Sequence, residues 1–365
     1  MAGDTFATRP KVSTVSAVQI TAEKCWVNDG AIHGSGSNCD DAFVACCGDD
    51  TGTTGPVDPV PTVRRSEVLK VKAHFPTIET HPPSDAPMAS ISQLFPELPD
   101  VKVIDIGASP IDGDPPYSAL RDADKMDLVA FEPDETQFAA LQALNFPRTK
   151  AIKAAIGDGT EGVLKICKIP GMTSLLEPDQ EVLSHFWGFD IWGKVLSRQP
   201  LMTKRLDDIA EAAGAHYLKL DVQGGEFPIL QHGTETLKSC VFVHTEVQFV
   251  PFYKDQPLFA ELDIALRKAG FWLHRFLPIH SRVFKPLMQN NDIYAGLSQV
   301  LWTDAVYVRR FTDFPVMAYD ALQRIALIAH DLYKSYDLAA LALQELDKRD
   351  GGDRYPQYLK ALTSS

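Results

Sequence analysis

The chain has 365 residues, 45% hydrophobic and 23% charged, near the averages of soluble globular proteins, which excludes a wholly disordered, collagenous or coiled-coil chain. Asp and Glu outnumber Lys and Arg by 48 to 35, for a net charge of -13, so no nucleic-acid partner is expected. No stretch approaches the roughly 20 apolar residues of a membrane span, and the opening residues lack a signal-peptide core; the expected setting is cytoplasmic.

Residues 1–60 hold four of the six cysteines and are rich in Gly, Asp, Thr and Ser. Such a composition buries too little apolar surface to offset the entropy of ordering, so a flexible extension is expected. Cys25, Cys39, Cys46 and Cys47 are separated by 13, 6 and 0 residues, a spacing that matches no common zinc pattern, and a cytosolic chain keeps its thiols reduced. A metal clip that includes His33 and a modified peptide are the alternatives; no metal is expected. Residues 61–99 read as a proline-rich linker, and a folded domain is expected over 100–310.

Within that domain short apolar runs alternate with amphipathic stretches, the pattern of strand–helix units on a parallel sheet. Strands are expected at Val101–Ile106 and at 128–131, 149–156, 217–222 and 241–246, with helices over 134–144 and 258–269. Gly270 suits a helix C-cap. The segments FWLHRF and LWTDAVYVRR close the sheet as an antiparallel last pair. Residues 311–365 form a helical tail, read as a hairpin split near Ser335. Its apolar stripes serve either to pack on the domain or as a docking or homo-oligomer surface.

The first strand ends in VIDIGASPIDG, which sets Asp105, Gly107 and Ala108 at the carboxyl edge of the sheet, where open α/β folds bind ligands. A pyrophosphate-binding turn would need G-x-G-x-x-G, but Ser stands at 109. Glu132 ends the second strand, where a carboxylate can accept hydrogen bonds from ribose hydroxyls. A ribose-bearing cofactor without pyrophosphate, such as S-adenosylmethionine, fits both facts.

The motifs VIDIGASPIDG, FEPDE, AAIGDG, GMTSLLEPD, LKLDVQGGEFPILQHG and TEVQFVPFYKDQPLF, in this order from Val101 to Arg310, resemble the FkbM-type S-adenosylmethionine-dependent methyltransferases. The resemblance implies a class I, Rossmann-like fold with a seven-stranded, mostly parallel sheet. It also implies O-methylation of a sugar or polyketide-like metabolite, with a small-molecule or glycan acceptor. Carried over by motif, Asp105, Gly107 and Ala108 would line the methionine and ribose side of the cofactor and Glu132 its ribose. Asp158 would meet the adenine amino group, with Gly157 giving that turn its close approach.

Methyl transfer to an alcohol needs the reactants aligned and the hydroxyl proton accepted. Asp221 and Glu246, near the ends of adjacent strands, serve either as base or orienting acceptor, or as members of an ion-pair network with Lys219 and Glu226, since a buried Lys219 needs a carboxylate. His244 alternates with Glu246 and is either a base or a satisfied core histidine. His185 borders an aromatic run (Phe186, Trp187, Phe189, Trp192) that is either core or a lid able to stack on a sugar. Thr173 and Ser174 open that segment as candidate substrate contacts. A nicotinamide-linked oxidoreductase and a non-catalytic scaffold acting through the tail are the competing functions.

Overall fold

Ahead of the first long strand, Ile91, Phe95 and Leu98 are already buried, and a short 3-10 turn over Ile91–Gln93 is tied to the tail by the Ile91 amide, which donates to Asp331 Oδ1 at 2.9 Å. The computed structural model describes residues 26–28, 31–33, 90–111 and 113–363. Trp26–Asn28 and Ala31–His33 pair as a short antiparallel ribbon. The four early cysteines and the rest of the expected extension, with residues 61–89 of the linker, lie outside the described residues.

In chain order the strands are β1 (Val101–Ile106), β2 (Met126–Phe131), β3 (Thr149–Ile152), β4 (Ala155–Ile156), β5 (Glu161–Cys167), β6 (Val195–Lys204), β7 (Tyr217–Leu220), β8 (Phe242–Gln248), β9 (Phe271–Phe276), β10 (His280–Arg282) and β11 (Gln299–Arg309). The helices that matter below are α1 (Ser118–Asp122), α2 (Glu135–Ala143), α3 (Gln180–Leu183), α4 (Phe189–Trp192), α5 (Glu226–Gln231), α6 (Thr234–Ser239), α7 (Phe259–Lys268), α8 (Tyr319–Asp331), α9 (Tyr336–Asp350) and α10 (Arg354–Thr363). The main sheet runs β9-β11-β8-β7-β1-β2-β3, with β10 pairing the end of β11. β11 is antiparallel to β8, β9 and β10, and the remaining neighbours in this sheet are parallel. The expected Rossmann-like class is therefore observed, with the reversed strand inserted between its neighbours.

Both faces of the central strands are covered, which explains why they read as nearly continuous apolar runs. One face, carrying Ile104, Ile106, Leu218, Leu220 and Val243, packs on α5, α6 and α7 through Ile229, Leu237 and Leu262. The other, carrying Val101, Val103, Tyr217, Phe242 and Val306, packs on the tail through Leu322, Ile325 and Leu343. The tail stripe read as a docking surface is thus consumed inside the fold.

Three readings are corrected. The strand expected over 149–156 is two, because β4 leaves the main sheet and pairs parallel with Thr203 and Lys204 of β6. The antiparallel ribbon of β5 and β6 was not anticipated; β6 is mostly exposed and contains Pro200, which argues against a strand. The tail has three helices rather than a hairpin. Its split at Ser335 is as expected, and α10 follows Gly351, a left-handed C-cap with φ +73°.

Candidate active site

Strand β1 delivers its chain to a turn that only glycine can make. Gly107 has φ +82°, and a Cβ there would lie 1.8 Å from the carbonyl oxygen of Asp221. The Gly107 and Ala108 amides both donate to Phe131 O at 3.0 Å, so the turn is pinned between the ends of β2 and β7. This close approach puts backbone without a side chain at the carboxyl edge of β1.

Strand register explains which polar groups meet. Asp105, Lys219 and His244 stand side by side on β1, β7 and β8, all on the sheet face covered by the tail. One step nearer the edge, Glu246 faces Asp304 across β8 and β11. Lys219 Nζ lies 3.3 Å from Asp105 Oδ1 and 3.6 Å from Asp221 Oδ2, and donates to Gly107 O at 3.2 Å. Burial alone would lower the lysine pKa, but the two carboxylates more than offset it and hold the ammonium charged. Asp105 is itself buried and takes a 2.8 Å hydrogen bond from Tyr117 Oη. It therefore supports the turn from beneath instead of lining the cofactor surface as expected.

Asp221 and Glu246 are brought together by a residue not singled out from the sequence. Gln223 Nε2 donates to Asp221 Oδ1 at 2.9 Å and to Glu246 Oε2 at 3.0 Å. Its backbone sits at φ +58°, a costly conformation for a side-chain-bearing residue. Gln248 Nε2 adds a 2.7 Å bond to Glu246 Oε2. Burial, and then the charges of Asp221, Glu226 and Asp304, push the Glu246 carboxyl well above the usual range. Glu226 is also raised, to about 7, by burial. Its Oε1 accepts from the Val222 and Gly224 amides, so it shapes the loop after β7 and does not join the Lys219 pair.

His244 proves to be a satisfied core histidine. Its Nδ1 is 3.1 Å from Tyr333 Oη and its Nε2 is 3.4 Å from Asp304 Oδ2, leaving neither ring nitrogen for a substrate proton. Tyr333 belongs to the turn between α8 and α9, and its hydroxyl also meets Tyr217 Oη at 2.8 Å. The same turn is held by Arg275, which donates to Tyr333 O and Ser335 Oγ. The tail therefore walls the site from below. No sequence signal links Tyr333 to a strand 89 residues away.

Glu132 lies just past β2, 5% exposed. Its Oε1 accepts from the Asp134 amide at 2.8 Å, and its Oε2 receives no hydrogen bond from the described residues, an open acceptor in a buried position. Burial raises its pKa to about 7. Asp158 follows β4; its Oδ1 accepts from the Thr160 amide and hydroxyl at 2.9 and 2.7 Å, which hold its pKa down. Gly157 passes so near Thr203 that a Cβ would meet that side chain at 3.1 Å. Open acceptor, glycine cradle and tight second turn fit a nucleoside bound along the edge from β1 to β4.

The segment after β5 forms a cap. Ser174 Oγ donates to Gln223 O at 2.7 Å and accepts from the Leu176 amide, while Thr173 Oγ1 accepts from the Cys167 amide. The Ser174 hydroxyl fastens the cap to the Gln223 loop while Thr173 ties it back to β5, and Tyr253 Oη, 3.3 Å from Gln223 Oε1, adds to the fastening. His185 is exposed and bonds Glu181 O within its own turn, apart from the carboxylates. Of the neighbouring aromatics Phe186 and Phe189 are core, buried with Leu183, Phe252 and Leu301, while Trp187 and Trp192 are only half-buried. Among the described residues no group of His, Cys, Asp and Glu is arranged to hold a metal ion.

A family model described as the methyltransferase FkbM domain matches residues 105–273. The chain is 31% identical over 185 residues to the 2-O-methyltransferase NoeI of Sinorhizobium fredii, covering 46% of this chain and 72% of that protein. Among solved structures it is similar to a methyltransferase FkbM from Methylobacillus flagellatus KT, with TM-score 0.31 and 13% identity over 57% of this chain. The match spans 43% of that protein's length. Similar too is a magnesium protoporphyrin IX methyltransferase from Synechocystis PCC 6803 with bound S-adenosylmethionine, with TM-score 0.30 and 14% identity over 60% of this chain and 74% of that one.

Proposed function

The chain belongs to the FkbM methyltransferase family and takes S-adenosylmethionine as methyl donor, and from that premise we propose that it methylates a hydroxyl of a carbohydrate or secondary metabolite. Membership sets aside the oxidoreductase and scaffold readings. The cluster Asp221–Gln223–Glu246 beside the Gly107 turn carries the proposal, because a hydroxyl must give up its proton as the new bond to carbon forms and a carboxylate there can accept it. The similarity to a 2-O-methyltransferase favours the same nucleophile.

The donor brings an electrophilic methyl on a sulfonium sulfur; everything else falls to the chain. Gly107 and Ala108 leave room for the donor, Glu132 Oε2 accepts from its ribose, and the turn at Gly157 and Asp158 receives the base. Asp221, its side chain 28% exposed and steadied by Lys219 at 3.6 Å, takes the hydroxyl proton. Glu246, with its raised proton affinity, orients the hydroxyl through Gln223.

The test is single-turnover transfer from methyl-labelled S-adenosylmethionine to a panel of methyl glycosides, with melting temperature read on the same preparations. Asp221→Asn is expected to slow transfer by roughly 10²- to 10⁴-fold while S-adenosylhomocysteine affinity holds. Glu246→Gln should cost less. Wild-type turnover in folded Asp221→Asn would remove it as the base. Transfer to amine or thiol probes alone would refute the hydroxyl acceptor.

A further inference from the structure

Beyond Glu246 and Gln248 the same face of the sheet continues to Trp302, which pairs in register with Gln248 on one side and His280 on the other. The His280 and Trp302 rings stack at 4.7 Å with planes 12° apart. Arg282, at the end of β10, lays its guanidinium 4.9 Å from the Trp302 ring centre and 5.8 Å from those of Phe189 and Tyr294. Tyr294 in turn stacks on Trp192 at 5.7 Å and is 60% exposed. An aromatic box open to solvent along the Tyr294 side thus surrounds one cation.

Among the described residues that cation has no ion-pair partner. Its one hydrogen bond goes from Nη1 to Ser281 O at 2.8 Å, and its Nε is buried with no acceptor. The charge of Asp292 acts on it at longer range, but that carboxylate is engaged with the Tyr294 amide. Most other arginines in the described residues hold a carboxylate or a set of backbone carbonyls. An arginine desolvated by rings and left without an anion costs stability, and its planar fork of N–H donors matches an oxyanion.

We infer that Arg282 is the anchor for an oxyanion carried by the acceptor, a carboxylate, phosphate or sulfate on a sugar whose ring packs against the exposed Tyr294 side of the box. The inference rests on the proposed O-methylation, since it makes this box the far end of the acceptor site that begins at Asp221. Stacking on aromatic rings suits the apolar face of a sugar, and the fork supplies the discrimination between charged and neutral acceptors that a shared hydroxyl cannot.

Binding and transfer are measured separately on the full chain loaded with S-adenosylhomocysteine or labelled donor. Calorimetry compares methyl glucoside, glucuronate, glucose 6-phosphate, glucose 6-sulfate and inorganic phosphate, for the wild type, Arg282→Met and Arg282→Lys. One or more charged sugars are expected to bind the wild type about tenfold or more tightly than methyl glucoside. Arg282→Met, which keeps the packing on Trp302, should erase that preference, and Arg282→Lys should recover part of it. The preferred sugar identifies which oxyanion the site takes. Equal affinities for charged and neutral sugars, a preference that survives in a folded Arg282→Met, or binding of inorganic phosphate alone would overturn the inference. Arg282-dependent selectivity without transfer to any hydroxyl would leave the anion site standing and refute the O-methylation reading.

Discussion

Glu132 is buried yet keeps one carboxylate oxygen to which no described residue donates, and this fixes how cofactor affinity should respond to pH. Its carboxyl is raised to about 7 in the free protein because burial disfavours the charge. Ribose hydroxyls donate best to the ionised form, so binding below that value must expel a proton. The dissociation constant for S-adenosylhomocysteine should therefore rise by up to about tenfold for each pH unit below 7 and level off above it. Glu132→Gln should flatten this dependence and weaken binding at pH 8 by about 1 to 3 kcal/mol. Calorimetry at pH 6, 7 and 8 on both proteins decides the assignment; a wild-type constant that does not change with pH would refute it. The carboxylate was legible because Glu132 directly follows an apolar run. Its open oxygen was not, since that depends on Asp134 supplying an amide to the other one.

At the scale of elements, what could be read was whatever carried its own apolar signature. Strands β1, β7 and β8 are buried on both faces and announced themselves, and the alternation within them shows that Lys219 needs a carboxylate such as Asp221; its nearer partner, Asp105 on β1, is set by strand register. Three things escaped. The β5–β6 ribbon hid behind its exposed surface and Pro200, α10 behind Pro356 in its first turn, and the role of Tyr333 behind the distance that folding closes. Tyr333 gives the tail a measurable stake in the site: Tyr333→Phe removes the hydroxyl shared by Tyr217 and His244. Urea unfolding should show a loss of about 1 to 2 kcal/mol. An unchanged stability would mean that the turn is held by Arg275 and Ser335 alone.

For the whole molecule, buried carboxyls tilt stability toward mild acid. Glu226 holds its proton up to about 7 in the fold against 4.5 for the free side chain. The folded state therefore binds that proton more tightly than the unfolded chain, and the stability this confers is present below about 4.5 and lost as pH climbs through 7. Glu246 acts in the same direction. Burial holds His216 and His274 neutral, with pKa values of about 4, and these add stability as pH rises from there to the free value of 6.5. The Glu226 share is therefore read as a difference: the stability advantage of the wild type over Glu226→Gln, which keeps an oxygen for the Val222 and Gly224 amides, should shrink by about 1 to 3 kcal/mol between pH 5 and pH 8. Parallel pH profiles for mutant and wild type would show that Glu226 titrates normally in the fold.

The tail turn at Tyr333 and Ser335 also sets an order of events during synthesis. The sheet that carries Asp105, Lys219 and His244 is fully translated once β11 ends at Arg309, yet its polar row and the apolar residues around it stay bare until α8 and the turn have followed. At roughly 5 to 20 residues per second that interval lasts a few seconds or less. A chain that ends within it has a sheet with one apolar face uncovered, so the fold closes only when the tail helices have emerged.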